Sequence, residues 1–152
     1  MRNSPLIFVF SLLTLVIGAA LEEIFPKLAD VGFPVLLVAV QFMAARRPAF
    51  VAAVFAVAAG AMEDAVSSLP VMTSVSYFLA VTALVKWSEF PRGAIVLTYP
   101  FYQVWLWLWV SFPGFNVFRR VLVSLPVGIF AAFVTGAVLV WAERRAALDE
   151  EG

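Results

Sequence analysis

Glu63 and Asp64 stand side by side at the end of a long apolar stretch, and there this 152-residue chain comes nearest to reactive chemistry. Two carboxylates that face each other can share a proton and serve as acid and base. Neighbours on a helix point about 100° apart, so this pair cannot face itself, and a working dyad needs a second acid at the same depth. The other acids all fall between apolar stretches or in the C-terminal segment. The chain has no histidine, which removes the commonest general base and metal ligand. It also has no cysteine, so there is no disulfide, thiolate site or iron–sulfur ligand set. A lone serine or tyrosine nucleophile would lack an evident base. The expectation is a protein that is not an enzyme and carries no cofactor.

Gly60-Ala61-Met62-Glu63-Asp64 lacks the glycine directly before aspartate that marks the Gly-x-Gly-Asp pattern of intramembrane aspartyl proteases. Two readings of the acids stay open. They are solvated residues of an interfacial loop, or one is a buried acid that caps the next helix or meets a partner. A carboxylate near lipid is costly unless solvated or paired.

The elements that must position these residues follow from composition. Hydrophobic residues make up 64% of the chain and charged residues 13%, with a mean hydropathy of +1.01, beyond an average soluble domain. Lipid admits only helices or closed barrels, and the runs are too long and uniformly apolar for barrel strands. The expected fold is all-α: a polytopic membrane protein with six transmembrane helices over about 4–21, 32–45, 48–62, 69–87, 93–112 and 121–142. A charged cytoplasmic tail, 143–152, follows this single domain. The loop after the first span holds Glu22, Glu23, Lys27 and Asp30, with Pro26 and Gly32 breaking the helix. Ser67 or Ser68 is a plausible N-cap for the fourth span. The N-terminus has signal-peptide features, with Gly18-Ala19-Ala20 as a cleavage site; an uncleaved first span suits its longer apolar stretch better. Spans two and three are short: about 15 residues cover ~22 Å of a ~30 Å hydrocarbon core. Snorkelling Arg46 and Arg47 can make up part of the deficit, and a re-entrant hairpin is the alternative.

Basic residues orient the chain. With the N-terminus inside, Arg2, Arg46, Arg47, Lys86, Arg92, Arg144 and Arg145 lie inside, and Lys27, Arg119 and Arg120 outside, 7 against 3. Both termini are therefore expected in the cytoplasm. Net charge is zero, and nothing global favours nucleic acid. Trp105, Trp107 and Trp109 approach the outer end of span five, where indoles form an aromatic belt; Trp105 and Trp109 share a side. Pro100 and Pro126 fall inside spans five and six, where each can kink a helix. Gln41 and Gln103, with a few hydroxyls, are the strong polar groups within spans, and no charge sits mid-membrane, which argues against ion-coupled transport.

Small residues recur at every fourth position: Ala52, Ala56 and Gly60 in the third span, and Gly128, Ala132 and Gly136 in the sixth. Such stripes let helices approach closely, within this protein or against another membrane protein.

From Pro34 to Trp87 the order of motifs resembles the rod shape-determining protein MreD family. A proline, Pro34, leads into an apolar span. A short basic turn, Ala45-Arg46-Arg47-Pro48, follows. The next span closes with the Gly-x-x-x-Asp of Gly60 to Asp64, and Ser67-Ser68-Leu69-Pro70 precedes the fourth span. The family usually has a glycine shortly after that last proline, where this chain has Val71-Met72-Thr73. The resemblance covers about a third of the chain. It implies a non-catalytic scaffold of the bacterial inner membrane, part of the cell-elongation machinery (the elongasome) that determines cell shape and supports peptidoglycan synthesis. The implied partners are the lipid bilayer, an MreC-like membrane-anchored protein, an MreB-like filament and a RodA/penicillin-binding-protein synthase. It also implies a fold similar to the substrate-capturing subunits of vitamin transporters. On that reading Pro34, Arg46, Arg47, Glu63, Asp64 and the two small-residue stripes are the candidate partner and packing residues. The rival function is a substrate-binding membrane subunit of a small-molecule transporter, with a polar pocket open to the outside near Tyr77, Gln103 and Trp105.

The cysteine-free sequence makes topology directly testable. In intact cells, Ser68→Cys is expected to react with a membrane-impermeant maleimide, while Asn3→Cys and Leu148→Cys stay protected until the cells are lysed; labelling of only one terminus would refute an even number of crossings.

Overall fold

The computed structural model describes residues 5–24, 27–87, 96–110 and 114–151, and these are all-helical. Six helices follow one another: α1 (Pro5–Ile24), α2 (Val35–Arg46), α3 (Ala49–Val66), α4 (Thr73–Trp87), α5 (Thr98–Trp109) and α6 (Val117–Glu151). Arg2, Pro26, Glu89, Arg92 and the expected ends of span five at 93–95 and 111–112 lie outside the described residues. Two segments, Ala49–Val66 and Val117–Arg145, are long and apolar enough to cross a membrane.

The central helix is α2. Nine of its residues are buried, from Val35 to Ala44, and α1, α3, α4 and α6 all pack around it. Pro34 directly precedes its first turn, where a missing N–H removes no helical bond. The outer helices show the reverse pattern. On α1, Leu12, Leu13, Val16 and Ile17 are exposed while Leu15 and Gly18 are buried. On α6, Leu122, Phe130, Phe133, Val138 and Trp141 are exposed. Large apolar side chains thus point outward and small ones inward, as helices do when the surroundings are as apolar as the core.

The first small-residue stripe lies wholly inside the bundle. Ala52 and Ala56 are buried, and a Cβ on Gly60 would lie 2.5 Å from Val75 Cα and 2.6 Å from Val75 N. Backbone meets backbone there, so α3 and α4 cross as closely as a hydrogen in place of a side chain allows. Of the two uses left open for Ala52, Ala56 and Gly60, packing within the protein is the one seen. The second stripe divides. A Cβ on Gly128 would lie 3.2 Å from Tyr99 Cβ, whereas nothing in the described structure lies within 4 Å of one on Gly136.

Several boundaries move. The third helix runs four residues past the expected 62, so Glu63 and Asp64 belong to its last turns and not to a loop. The fourth begins at Thr73, after a turn in which Ser68 and Met72 adopt positive φ, and Ser67 closes α3 and does not open α4. Pro100 sits in the first turn of α5, where it breaks no helical bond and causes no kink; Pro126 does lie inside α6. The charged segment after 142 continues α6 as helix to Glu151.

At the end of the bundle near the α2–α3 turn, Arg46 and Arg47 both bind the Glu143 carboxylate, Arg47 Nη2 at 3.1 Å. Arg46 also lies over the Phe42 ring, 4.7 Å from its centroid. These arginines therefore tie the turn to α6.

Gly60→Ala is expected to lower stability by about 1–3 kcal/mol, because the added methyl meets backbone that cannot yield. Gly136→Ala, with open space around it, is expected to change thermal unfolding in detergent micelles little; equal effects of the two would refute the crossing.

Candidate functional site

The end of the bundle opposite the Arg46–Arg47 turn carries the polar side chains that sequence placed outside. Asp64 lies one turn beyond Gly60, at the next fourth position of the stripe Ala52-Ala56-Gly60. Because α3 and α4 touch at Gly60, the Asp64 side chain reaches the start of α4, and Ser74 N donates to Asp64 Oδ1 at 2.8 Å. The first turn of a helix has N–H groups without helical partners, and a carboxylate there satisfies a donor and opposes the helix dipole. Asp64 is thus the buried acid that caps the next helix, one of the two readings left open. Leu69 N donates to the Asp64 carbonyl at 2.8 Å, so one residue also fixes the connecting turn.

The fifth helix is fastened to the same place. Ser74 Oγ and Tyr102 OH share a hydrogen bond of 2.6 Å, and Trp105 Nε1 donates to Thr73 O at 3.0 Å. Tyr77 OH donates to the Thr98 carbonyl, and Gln41 Nε2 donates to Thr98 Oγ1. Trp105 is therefore part of the packing, with Trp109 5.6 Å away on the same side as expected, while Trp107 and Trp109 are exposed.

Beside this junction lies a cavity of about 240 Å³. Glu22, Lys27, Asp30, Glu63, Gln103 and Arg120 line it, together with the rings of Tyr99 and Tyr102. Glu22 Oε1 accepts from Leu36 N at 2.7 Å, across the start of α2. Glu63 Oε1 accepts from Ser67 Oγ at 3.1 Å. The two carboxylates come close enough to repel one another. Gln103 is 3% exposed, and its Oε1 has no donor, nor does Glu22 Oε2. Tyr99 OH donates to the Gly32 carbonyl and holds α5 to the loop before α2.

Arg119 and Arg120 depart from the basic-inside pattern, and the structure gives each a local use. Asn116 Oδ1 accepts from Arg119 N at 3.1 Å, an N-cap for α6. The Arg120 guanidinium stacks 4.0 Å from the Phe115 ring centroid and faces the charge of Asp30. Asp30 itself is held out by a tight turn, with Leu28 and Val31 exchanging two backbone hydrogen bonds of 2.9 Å around Ala29 and Asp30, both at positive φ.

Of the residues the sequence singled out, the structure brings Pro34, Glu63 and Gln103 to the cavity and places Asp64 at the α4 start beside it. Tyr77 and Trp105, expected at a pocket, are spent on packing bonds instead. Arg46 and Arg47 are at the opposite end, and Gly128 and Ala132 adjoin α5. Glu22 was missed as a site residue, since it reads as the first acid of a loop. The signal was available: Ser11, Leu15, Gly18 and Glu22 fall on one helical face, opposite the large exposed aliphatics. Among the described residues no group of three or more His, Cys, Asp or Glu side chains is arranged to hold a metal ion.

No family model, no curated protein and no solved structure matches this chain.

Asp64→Ala is expected to cost about 1–2 kcal/mol through loss of the cap. Asp64→Asn keeps an acceptor for Ser74 N and should recover at least half of that in thermal unfolding; no recovery would mean that charge and not the hydrogen bond carries the effect.

Proposed function

We propose that this protein is a six-span scaffold of the bacterial inner membrane, MreD-like, with both termini in the cytoplasm, that docks the transmembrane helix of an MreC-like partner. The observation that carries this reading is the use made of its polar residues. Asp64, Ser74, Tyr77, Gln41 and Trp105 join helix to helix, and the outward faces of α1 and α6 are apolar. A protein built in this way offers shape and surface to the bilayer rather than reactive groups. The stretch that resembles the family, from Pro34 to Trp87, folds as α2, α3 and α4, three helices in mutual contact. In that unit the family-like Gly60 and Asp64 make the α3–α4 crossing and its cap. Through such a partner the scaffold would serve peptidoglycan synthesis and cell shape, alongside an MreB-like filament and a RodA/penicillin-binding-protein synthase.

Helix–helix docking in lipid needs a place where backbones approach, and a small residue with open space beside it supplies one. Gly136 is that residue here, while Gly60 and Gly128 are already covered by the chain's own atoms. Substitutions at Gly60 or Asp64 therefore report on folding, and the informative variant is Gly136→Leu. It is expected to keep the thermal midpoint of the wild type yet lose most co-purification with the MreC-like product of a neighbouring gene and to round the cells. Undiminished co-purification and normal rods would refute docking at this face.

A further inference from the structure

The cavity between α1, α2, α3 and α5 is rich in acceptors and poor in donors. Glu22 and Glu63 bring two carboxylates to it. Glu22 Oε1 accepts from Leu36 N, the Glu22 and Glu63 carboxyls lie within hydrogen-bonding reach of one another, and Glu22 Oε2 is buried with no backbone, hydroxyl or cationic donor. Gln103 approaches from α5, nine-tenths buried and more, with its Oε1 also lacking a donor. Buried acceptors left without a hydrogen cost free energy, and two carboxyls at short range cannot both ionise cheaply, unless a positive donor sits among them. The chain's own cations do not meet this need. Arg120 and Lys27 also line the cavity, but Arg120 is engaged over Phe115 and with the charge of Asp30, and Lys27 stands at the solvent side, exposed.

The aromatic walls add a second preference. Tyr99 and Tyr102 line the cavity with rings whose centroids are 6.4 Å apart. Ring faces attract cations, most strongly where water is excluded. The volume, about 240 Å³, is below the range of drug-sized sites, ~300–1,000 Å³. It suits a small head and not a large planar ligand.

We propose that this cavity binds a primary ammonium group, whose N–H donors satisfy Glu22, Glu63 and Gln103 together. The group belongs to a small free amine or to the ethanolamine head of a phospholipid, which present the same chemistry. The inference goes beyond the scaffold reading and does not depend on it.

The test uses the full chain in phosphatidylcholine nanodiscs, titrated calorimetrically with ethanolamine, ethylammonium and tetramethylammonium. A free-amine site gives saturable binding of the first two, with tetramethylammonium, which has the charge but no N–H, at least about tenfold weaker. Glu22→Gln, Glu63→Gln and Gln103→Leu should each weaken binding about tenfold or more, while Glu23→Gln, exposed and away from the cavity, should not. A lipid-head site instead shows retention of phosphatidylethanolamine over phosphatidylcholine in native mass spectra from mixed discs, lost in the same three variants and kept in Glu23→Gln. Thermal unfolding of each variant separates loss of binding from loss of fold, and Glu22→Gln, nearly isosteric, is the variant least open to that objection. The proposal is overturned if neither amine nor phosphatidylethanolamine binds more tightly to the wild type than to folded Glu22→Gln. It is equally overturned if tetramethylammonium matches ethylammonium.

Discussion

The approach of α3 to α4 at Gly60 and Val75 is the constraint from which the rest of this end of the bundle follows. With a side chain at position 60 the helices would stand apart, and Asp64 could not reach the first turn of α4. With them in contact, Asp64 caps Ser74, Ser74 shares its hydroxyl with Tyr102, and Thr73 accepts from Trp105. The beginning of α4 thus helps to place α5, which it touches only lightly and which packs chiefly on α6. In lipid each such bond contributes modestly, about 0.6 kcal/mol on average. Their number and direction fix the arrangement more than any one of them does.

The same geometry separates two kinds of acid. Asp64 looks across to a helix terminus and is consumed by structure. Glu63, one residue earlier and about 100° around the helix, looks into the cavity beside Glu22. Adjacent carboxylates that could not serve each other as a catalytic pair instead divide the work of holding the fold and of lining a pocket. The second acid that a pair would need does exist, but α1 supplies it, from a position 41 residues away by the numbering of Glu22 and Glu63.

Much of the helical layout was legible in the sequence because long apolar runs leave few alternatives: all six expected spans contain a helix, and the turn at Arg46-Arg47-Pro48 is where it was expected. The boundaries were harder. The cap of α4 was sought among nearby serines, yet it comes from the preceding helix through a contact that only the Gly60 crossing creates. Pro100 looked like an internal breaker because the run from Gly93 to Phe112 gives no sign that α5 starts at Thr98. The helical continuation after Ala142 could have been seen, since Glu143, Arg144, Arg145, Ala146, Ala147 and Leu148 are all strong helix formers. Charge concealed it, because charged residues after a span read first as a solvated tail. The cavity was not legible as a whole: Gln103 was noticed as a polar group in a span, but its meeting with Glu22 and Glu63 depends on how three helices pack.

Length gives the sixth helix a mechanical character. Its 35 residues make a rod of ~52 Å at ~1.5 Å per residue, while the hydrocarbon slab is ~30 Å thick. A rod of that length would outreach such a slab, and the Arg46–Arg47 clasp on Glu143 holds it like a collar towards its C-terminal end. A sideways push on the protruding segment would then turn about that collar. It would be delivered to Gly128 and Tyr99, and Tyr99 lines the polar chamber at the other end of the bundle.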